Sequence, residues 1–298
     1  MSFWHDVGCS AAAGLIARVP CHPLDTVKTV AMASEGNSAG ARPLTVAKSL
    51  YAREGVAGFY RGIGIASLGS APGVACYLTT YETAKRLLPS TGLGGGSSDS
   101  ALVHLTAGFL AETVSCVVWL PIDVVKERLQ SQGPDVEHRY RNSLDGLRRV
   151  ARYEGVRGLY KGYFMTLGSF GPFSAIYFAA FEWYKRVLFG LDAGTTPGSA
   201  QSFTAGALAN TTACVATQPL EMVKTRYQIQ RAKLTSGGRE FDQYTYAYKG
   251  MRDGVSTIIR ESGVAGLWRG TISRAIYTVP NAALTMALFT TLKQAWTA

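Results

Sequence analysis

One pattern recurs three times in this chain and constrains every other feature. A proline is followed two residues later by an acid and five residues later by a lysine. The pattern falls at Pro23, Asp25 and Lys28 ("HPLDTVKT"), at Pro121, Asp123 and Lys126 ("LPIDVVKERLQ"), and at Pro219, Glu221 and Lys224 ("QPLEMVKTRYQ"). Successive prolines are 98 residues apart. Composition alone gives about 0.07 such matches per chain, so one match is weak and three at a fixed spacing are not chance. Each motif interrupts an apolar helical stretch. A proline is tolerated inside a membrane helix where neighbouring groups satisfy the carbonyl it frees. The acid and the lysine are at i and i+3, so they share one helix face. That face cannot meet lipid and must look inward. Three such helices related by symmetry bring six charges of alternating sign to one ring, and three kinks narrow the bundle there.

A second motif keeps the same register: "REGVAGFYRG" ends at Gly62, "YEGVRGLYKG" at Gly162 and "ESGVAGLWRG" at Gly270. Ten residues on come Pro72, Pro172 and Pro280, followed by Glu82, Glu182 and Thr290, then Lys85, Lys185 and Lys293. A period near 100 exceeds any short solenoid unit. The chain therefore divides into repeats 1–98, 99–196 and 197–298, forming one structural domain. Each repeat reads as a long apolar helix, a polar loop and a second apolar helix. The six spans, 4–32, 66–88, 101–131, 163–189, 199–231 and 270–296, can each cross a ~30 Å hydrocarbon core. The expected fold class is all-α membrane, with six transmembrane helices in pseudo-threefold array around a central cavity. Connections 89–100 and 190–200 contain no Lys or Arg, whereas 33–62, 131–162 and 231–270 hold 4, 7 and 7. That bias places the long loops on the inner side and both termini on the other.

Composition agrees. Hydrophobic residues make up 47% and charged residues 17%, yet mean hydropathy is only +0.07, as suits a membrane bundle lining a wet cavity. A net charge of +10 invites an anionic partner, nucleic acid or acidic lipid. The competing reading, a peripheral basic nucleic-acid-binding protein, finds no recognition motif, and the charge is spread over three loops. A soluble helical repeat protein would explain the repeats but not six spans almost empty of charge. Cys9, Cys21, Cys76, Cys116 and Cys214 form no C-x-x-C pair. His5, His22, His104 and His138 lack metal-ligand spacing, and no Gly-rich phosphate loop is present. The residues thus call for no metal site, cofactor or enzyme. The N-terminal stretch reads as neither a signal nor an Arg-rich transit peptide.

With these motifs in view, the chain resembles the mitochondrial carrier family over its whole length. One departure is Ser262, inserted between Glu261 and Gly263. The resemblance implies an inner-membrane, multi-pass, monomeric transporter with both termini toward the intermembrane space. It works by alternating access between two salt-bridge gates. The implied matrix gate pairs Asp25 with Lys126, Asp123 with Lys224 and Glu221 with Lys28. Gln130 and Gln228 brace it, while Met32 holds the third brace position and cannot. The implied cytosolic gate comprises Tyr81, Glu82, Lys85, Phe181, Glu182, Lys185 and Lys293. Its pairs are Lys85–Glu182 and Lys293–Glu82; Thr290 replaces the third acid, leaving Lys185 without its family partner. Arg61–Gly62, Lys161–Gly162 and Arg269–Gly270 match the family's cardiolipin sites, where helix N-termini would meet phosphate. Ordinary interfacial anchoring is the competing reading.

By the same resemblance, substrate contacts fall at Gly69, Ser70, Ser169, Phe170, Tyr277 and Thr278. None is charged, which disfavours nucleotides and tricarboxylates, because these usually need Arg or Lys forks. Arg18 lies on the expected cavity face five residues before Pro23; Cys116 and Cys214 hold the equivalent places. Glu112 and Asn210 lie nine residues before their prolines. One cation and one anion suit a small amphoteric solute, such as an amino acid or S-adenosylmethionine. The alternatives are helix–helix bonding for Glu112, and for the two thiols either packing or transport of a soft metal such as iron. Tyr77, Tyr177 and Phe173 are cavity aromatics or plain packing.

Overall fold

A computed structural model describes residues 3–34, 42–92, 100–132, 139–191, 198–230, 234–236, 239–241 and 248–297. The six expected spans are all helices: α1 (Phe3–Ala33), α3 (Ile63–Leu87), α4 (Ala101–Ser131), α7 (Tyr163–Phe189), α8 (Ser199–Ile229) and α10 (Thr271–Thr297). Each contains a proline. By length and apolarity, four segments qualify as membrane-crossing: Ile63–Thr91, Leu102–Ser131, Gly155–Phe189 and Val264–Ala295. Helices α1 and α8 are as long as α4 but less apolar. The first carries Arg18, His22, Asp25 and Lys28; the second carries Gln218, Glu221, Lys224, Arg226 and Gln228.

The polar loops read from the sequence hold helices of their own: α2 (Pro43–Phe59), α5 (Ser143–Tyr153), the single turn α6 (Gly155–Leu159) and α9 (Met251–Ser262). Their signal is a short amphipathic stripe. Buried residues stand four apart at Val46 and Leu50, Gly146 and Val150, and Gly254 and Ile258. Asn142 caps α5 by accepting from the Asp145 N–H at 2.9 Å. Val150 packs with Val125, Leu129 and Tyr140, and Ile258 with Met222, Val223 and Tyr248. Added to the all-α plan is one short antiparallel hairpin in the third connection, β1 (Leu234–Ser236) with β2 (Arg239–Phe241).

The second helix of each repeat packs on the first helix of the next: α3 on α4, α7 on α8 and α10 on α1. With the contacts of α1 with α3, α4 with α7 and α8 with α10, the ring closes. Glycine permits close approach here. A Cβ on Gly73 would lie 2.4 Å from the Trp119 indole.

The two repeated motifs answer each other physically. A helical proline leaves the carbonyl four residues earlier without its N–H partner. Pro121 frees Val117, whose carbonyl accepts from the Tyr160 hydroxyl at 2.8 Å. Pro219 frees Val215, whose carbonyl accepts from Trp268 Nε1 at 3.0 Å. The aromatic of the second motif therefore repairs the backbone that the first disrupts. The basic residue beside it reaches the next repeat. Arg61 donates to the Gln132 carbonyl at 2.8 Å, Lys161 to Gln230 at 3.1 Å and Arg269 to Ser34 at 2.9 Å. Each caps the C-terminal end of the neighbouring long helix, where free carbonyls and the helix dipole favour a cation.

Tyr160→Phe should lower stability by about 1 kcal/mol, one net hydrogen bond. In a Pro121→Ala background it should cost much less, because the alanine restores the backbone donor to the Val117 carbonyl. Thermal unfolding of the four proteins in detergent, read as a double-mutant cycle, measures this coupling.

Candidate functional site

The repeated charges meet where α1, α4 and α8 converge. Lys126 Nζ lies 3.1 Å from Asp25 Oδ2, and Lys28 Nζ 3.2 Å from Glu221 Oε1. These are two of the three expected pairs. Asp123 and Lys224 are not an ion pair among the described residues. Asp123 instead lies 3.8 Å from Lys126, and Lys224 3.8 Å from Glu221, each on its own helix. The Asp123 side chain is 31% exposed and that of Asp25 4%. A carboxylate that keeps its water avoids the desolvation cost a buried partner must repay.

The braces divide the same way. Gln130 Nε2 donates to Asp25 Oδ2 at 3.2 Å and to Thr26 Oγ1 at 3.1 Å, and its Oε1 accepts from Thr29 Oγ1 at 3.0 Å. Gln228, beside the unformed pair, is fully buried with neither amide atom hydrogen-bonded. Met32 packs among Met222, Val223 and Ile229, and Arg226 Nε donates to its carbonyl at 3.1 Å. Beneath the ring, Arg128 forks onto Glu154 and donates to the carbonyls of Gln228 at 3.0 Å and Gln230 at 2.7 Å. Arg226 holds the equivalent place in the third repeat. It donates to Tyr248 Oη at 3.2 Å and to the Ser34 carbonyl. Ser262 stands immediately before Gly263, where the other repeats have Glu54 and Glu154.

Two ring neighbours escaped the sequence reading. Arg274 of α10, 7% exposed, places Nη2 3.8 Å from Glu221 Oε2. Its Nη1 donates to the Cys214 carbonyl, Thr217 Oγ1 and Gln218 Oε1 at 3.2–3.4 Å. The signal was its place four residues after Gly270, where the other repeats carry Ala66 and Thr166. Glu127 is buried beside Lys126, and its Oε2 has no hydrogen-bond partner.

The proposed cavity residues behave differently from one another. Arg18 lies over the Trp119 ring at 5.8 Å, and its buried Nε is unbonded. Glu112 Oε1 accepts from Cys116 Sγ at 3.4 Å, and Asn210 Oδ1 from Cys214 Sγ at 3.4 Å. Gly69 is a packing residue, because a Cβ there would lie 2.1 Å from Ile122. Ser169 Oγ is turned back to the Met165 and Thr166 carbonyls, and Thr278 Oγ1 to that of Arg274. Phe170 is half-buried, and the side chain of Ser70 lies outside the described residues, as does His138. Tyr277 faces the ring, with Lys28 Nζ 5.8 Å from its centroid. Phe173, Tyr177 and Phe181 stack successively along one face of α7, with centroids 6.4 and 6.2 Å apart.

At the opposite end, neither Lys85–Glu182 nor Lys293–Glu82 occurs among the described ion pairs. Lys185, expected to lack a partner, donates to Glu182 Oε1 at 2.9 Å on its own helix; α7 supplies what Thr290 does not. Tyr81 shares a 2.6 Å hydrogen bond with His104, and Lys293 Nζ lies over Phe289 at 5.5 Å.

The expected cardiolipin residues are also redistributed. Arg61, Lys161 and Arg269 serve as the helix caps described above. Gly62, Gly162 and Gly270 take positive φ values of 76°, 88° and 79° just before α3, α7 and α10, a turn that favours glycine. Between the first and second repeats, a cleft joins the starts of α3 and α5 between Gly62, Ile63, Arg139, Arg141 and Ser143.

A closed ring of six proline-bearing helices, in three repeats tied by inward charges, defines a membrane transporter of small solutes. The mitochondrial carrier protein family matches residues 1–92, 97–191 and 195–298, and the chain belongs to that family. Among its relatives is "Mitochondrial substrate carrier family protein E" of Dictyostelium discoideum, 31% identical over 95% of this chain and 93% of the relative. Mitoferrin of the same organism is 30% identical over 97% and 92%. The mitochondrial S-adenosylmethionine carrier protein of Xenopus laevis is 33% identical over 88% and 86%.

Lys126→Gln would leave the buried Asp25 without its cation. Transport in liposomes should fall at least ~10-fold, which is ~1.4 kcal/mol, while the purified protein still unfolds cooperatively. Transport at the parent rate would mean that this pair is not part of the gate.

Proposed function

We propose that this protein carries a small amphoteric metabolite, of which S-adenosylmethionine is the leading candidate, across the mitochondrial inner membrane. The observation that carries the reading is the pair of oppositely charged side chains above the ring, Arg18 and Glu112. An ionisable residue within a membrane helix is a functional candidate by default. The aromatic ladder of Phe173, Tyr177 and Phe181 adds flat surface for a ring system. The identity to S-adenosylmethionine carriers supports the same choice.

In this reading the ring of Asp25, Lys28, Asp123, Lys126, Glu221 and Lys224 is the matrix gate. The cluster of Glu82, Lys85, Glu182, Lys185 and Lys293 is the cytosolic gate. With two of its ion pairs formed, the matrix gate is read as closed, with the cavity opening to the intermembrane space and both termini on that side. Solute binding favours the exchange between gates only through its differential affinity for the two states. The protein acts as a monomer. Cardiolipin phosphate sits in the cleft between the starts of α3 and α5, held by helix N–H groups and by Arg139 and Arg141.

Iron transport is the second reading, and the likeness to mitoferrin favours it. Against it, Cys116 and Cys214 are buried and tied to Glu112 and Asn210, and no group of three metal-ligating side chains occurs among the described residues. Uptake of labelled S-adenosylmethionine and of ferrous iron into liposomes separates the two; saturable uptake of iron alone would overturn the first.

Arg18→Ala and Glu112→Ala should each raise the apparent KM about 10-fold or more, as expected for loss of a charge-assisted contact. If both touch one solute, the double variant should lose less than the two losses combined. Combined losses in full, with lowered thermal stability, would assign Glu112 to helix packing.

A further inference from the structure

Resting on the reading of the charged ring as the matrix gate, we infer that Glu127 is a proton-binding site of that gate. Its carboxyl holds one proton while α4 and α8 meet, and gives it up to matrix water when they part.

The first corner of the ring shows what this position requires. Where α1 meets α4, Thr29 stands six residues after Pro23, and Gln130 nine residues after Pro121. Thr29 Oγ1 donates to Gln130 Oε1 at 3.0 Å, and Gln130 Nε2 donates to Asp25 and Thr26. Donors and acceptors are matched. Where α4 meets α8, the same places hold Glu127 and Gln228, with Asp123 and Val124 for Asp25 and Thr26. Val124 has no side-chain oxygen, and the Asp123 side chain is partly exposed. Glu127 Oε2 and both amide atoms of Gln228 are buried without a hydrogen bond. The two helices do meet here, because Arg128, next to Glu127, donates to the Gln228 carbonyl at 3.0 Å.

Glu127 also lacks a counter-ion of its own. The charges in whose field it lies are Lys126 and Asp123 of its own helix, Lys224 of α8 and Lys28 of α1. Lys126 is committed to Asp25 at 3.1 Å and Lys28 to Glu221 at 3.2 Å, while Lys224 lies 3.8 Å from Glu221. Glu127 itself joins no ion pair among the described residues. An ionised carboxyl has acceptors only, so it cannot make the bond that Thr29 makes. A buried, unpaired carboxylate is costly and is neutralised by taking a proton. That proton supplies an O–H able to donate to Gln228 Oε1, as the Thr29 hydroxyl does to Gln130.

Opening reverses the balance. Parting α4 from α8 admits matrix water, and a hydrated carboxyl is ionised at neutral pH. The proton therefore favours the closed gate by its difference in affinity for the two states. It is taken from matrix water on closing and returned on opening, so no net proton crosses the membrane. Alkaline pH on the matrix side then shifts the gate toward opening. Thr29 and Thr225, which hold this place in the other repeats, do not titrate, so the control resides in one corner.

Infrared spectra of the purified protein and liposome transport test this together. At neutral pH, wild type should show the C=O stretch of an un-ionised carboxyl that is missing from Glu127→Gln and from Glu127→Thr. Exchange of S-adenosylmethionine, with equal pH on both sides, should rise with pH in wild type. The rise can reach at most about 10-fold per pH unit, the limit for one proton. Both variants should lose that dependence, because neither side chain titrates. If Glu127→Gln fails to fold, Glu127→Thr, the residue of the other repeats, carries the comparison. Absence of the band in wild type, or its persistence in the variants, overturns the proton site. A band with unchanged pH dependence in the variants overturns its control of the gate, while loss of transport in Lys126→Gln would leave the gate reading standing. Wild type that moves no S-adenosylmethionine overturns the solute reading alone, and the band then decides the proton site.

Discussion

Charge inside a membrane bundle is the constraint on which the rest of this structure depends. Asp25, Asp123, Glu221 and the three motif lysines cannot face lipid, so α1, α4 and α8 must turn them toward one another. Once these helices converge, α3, α7 and α10 can only fill the spaces between them, each on the long helix of the next repeat. The closed ring therefore follows from six charges and three equal segments.

The prolines that bring the helices together create a second demand. Each frees a carbonyl at membrane depth, where water cannot be relied on. Tyr160 and Trp268 meet that demand from the start of the following helix, while Arg61, Lys161 and Arg269 cap the neighbouring repeat. Bend and inter-repeat link thus recur in all three repeats, and the carbonyl repair in the second and third. The basic residues of the second motif consequently belong to the fold first.

Departures from threefold symmetry are where selectivity can reside. Gln130 satisfies its ion pair, whereas Gln228 is buried and unbonded beside a pair that has not closed. Arg18 faces Trp119, while its equivalents are cysteines. Arg274 has only alanine and threonine as counterparts. A solute that is not itself threefold symmetric needs a site of this kind, because equivalent walls would offer it three equal poses.

The sequence by itself determined the six spans, the three repeats and the ring charges, while the Asp25–Lys126 and Lys28–Glu221 pairs were implied by the family resemblance. Those features are periodic, and a repeat read three times is its own confirmation. The amphipathic helices α2, α5 and α9 were hidden because their stripes are short and polar, and an apolar-span reading passes over them. Tertiary structure alone decided that Asp123 stays partly exposed, that Lys185 takes Glu182 on its own helix, that Gly69 packs on Ile122, and that Arg274 enters the ring. Each of these is a choice among partners on neighbouring helices. That choice depends on distances of an ångström or less and on which groups keep their water, and neither is written in residue spacing.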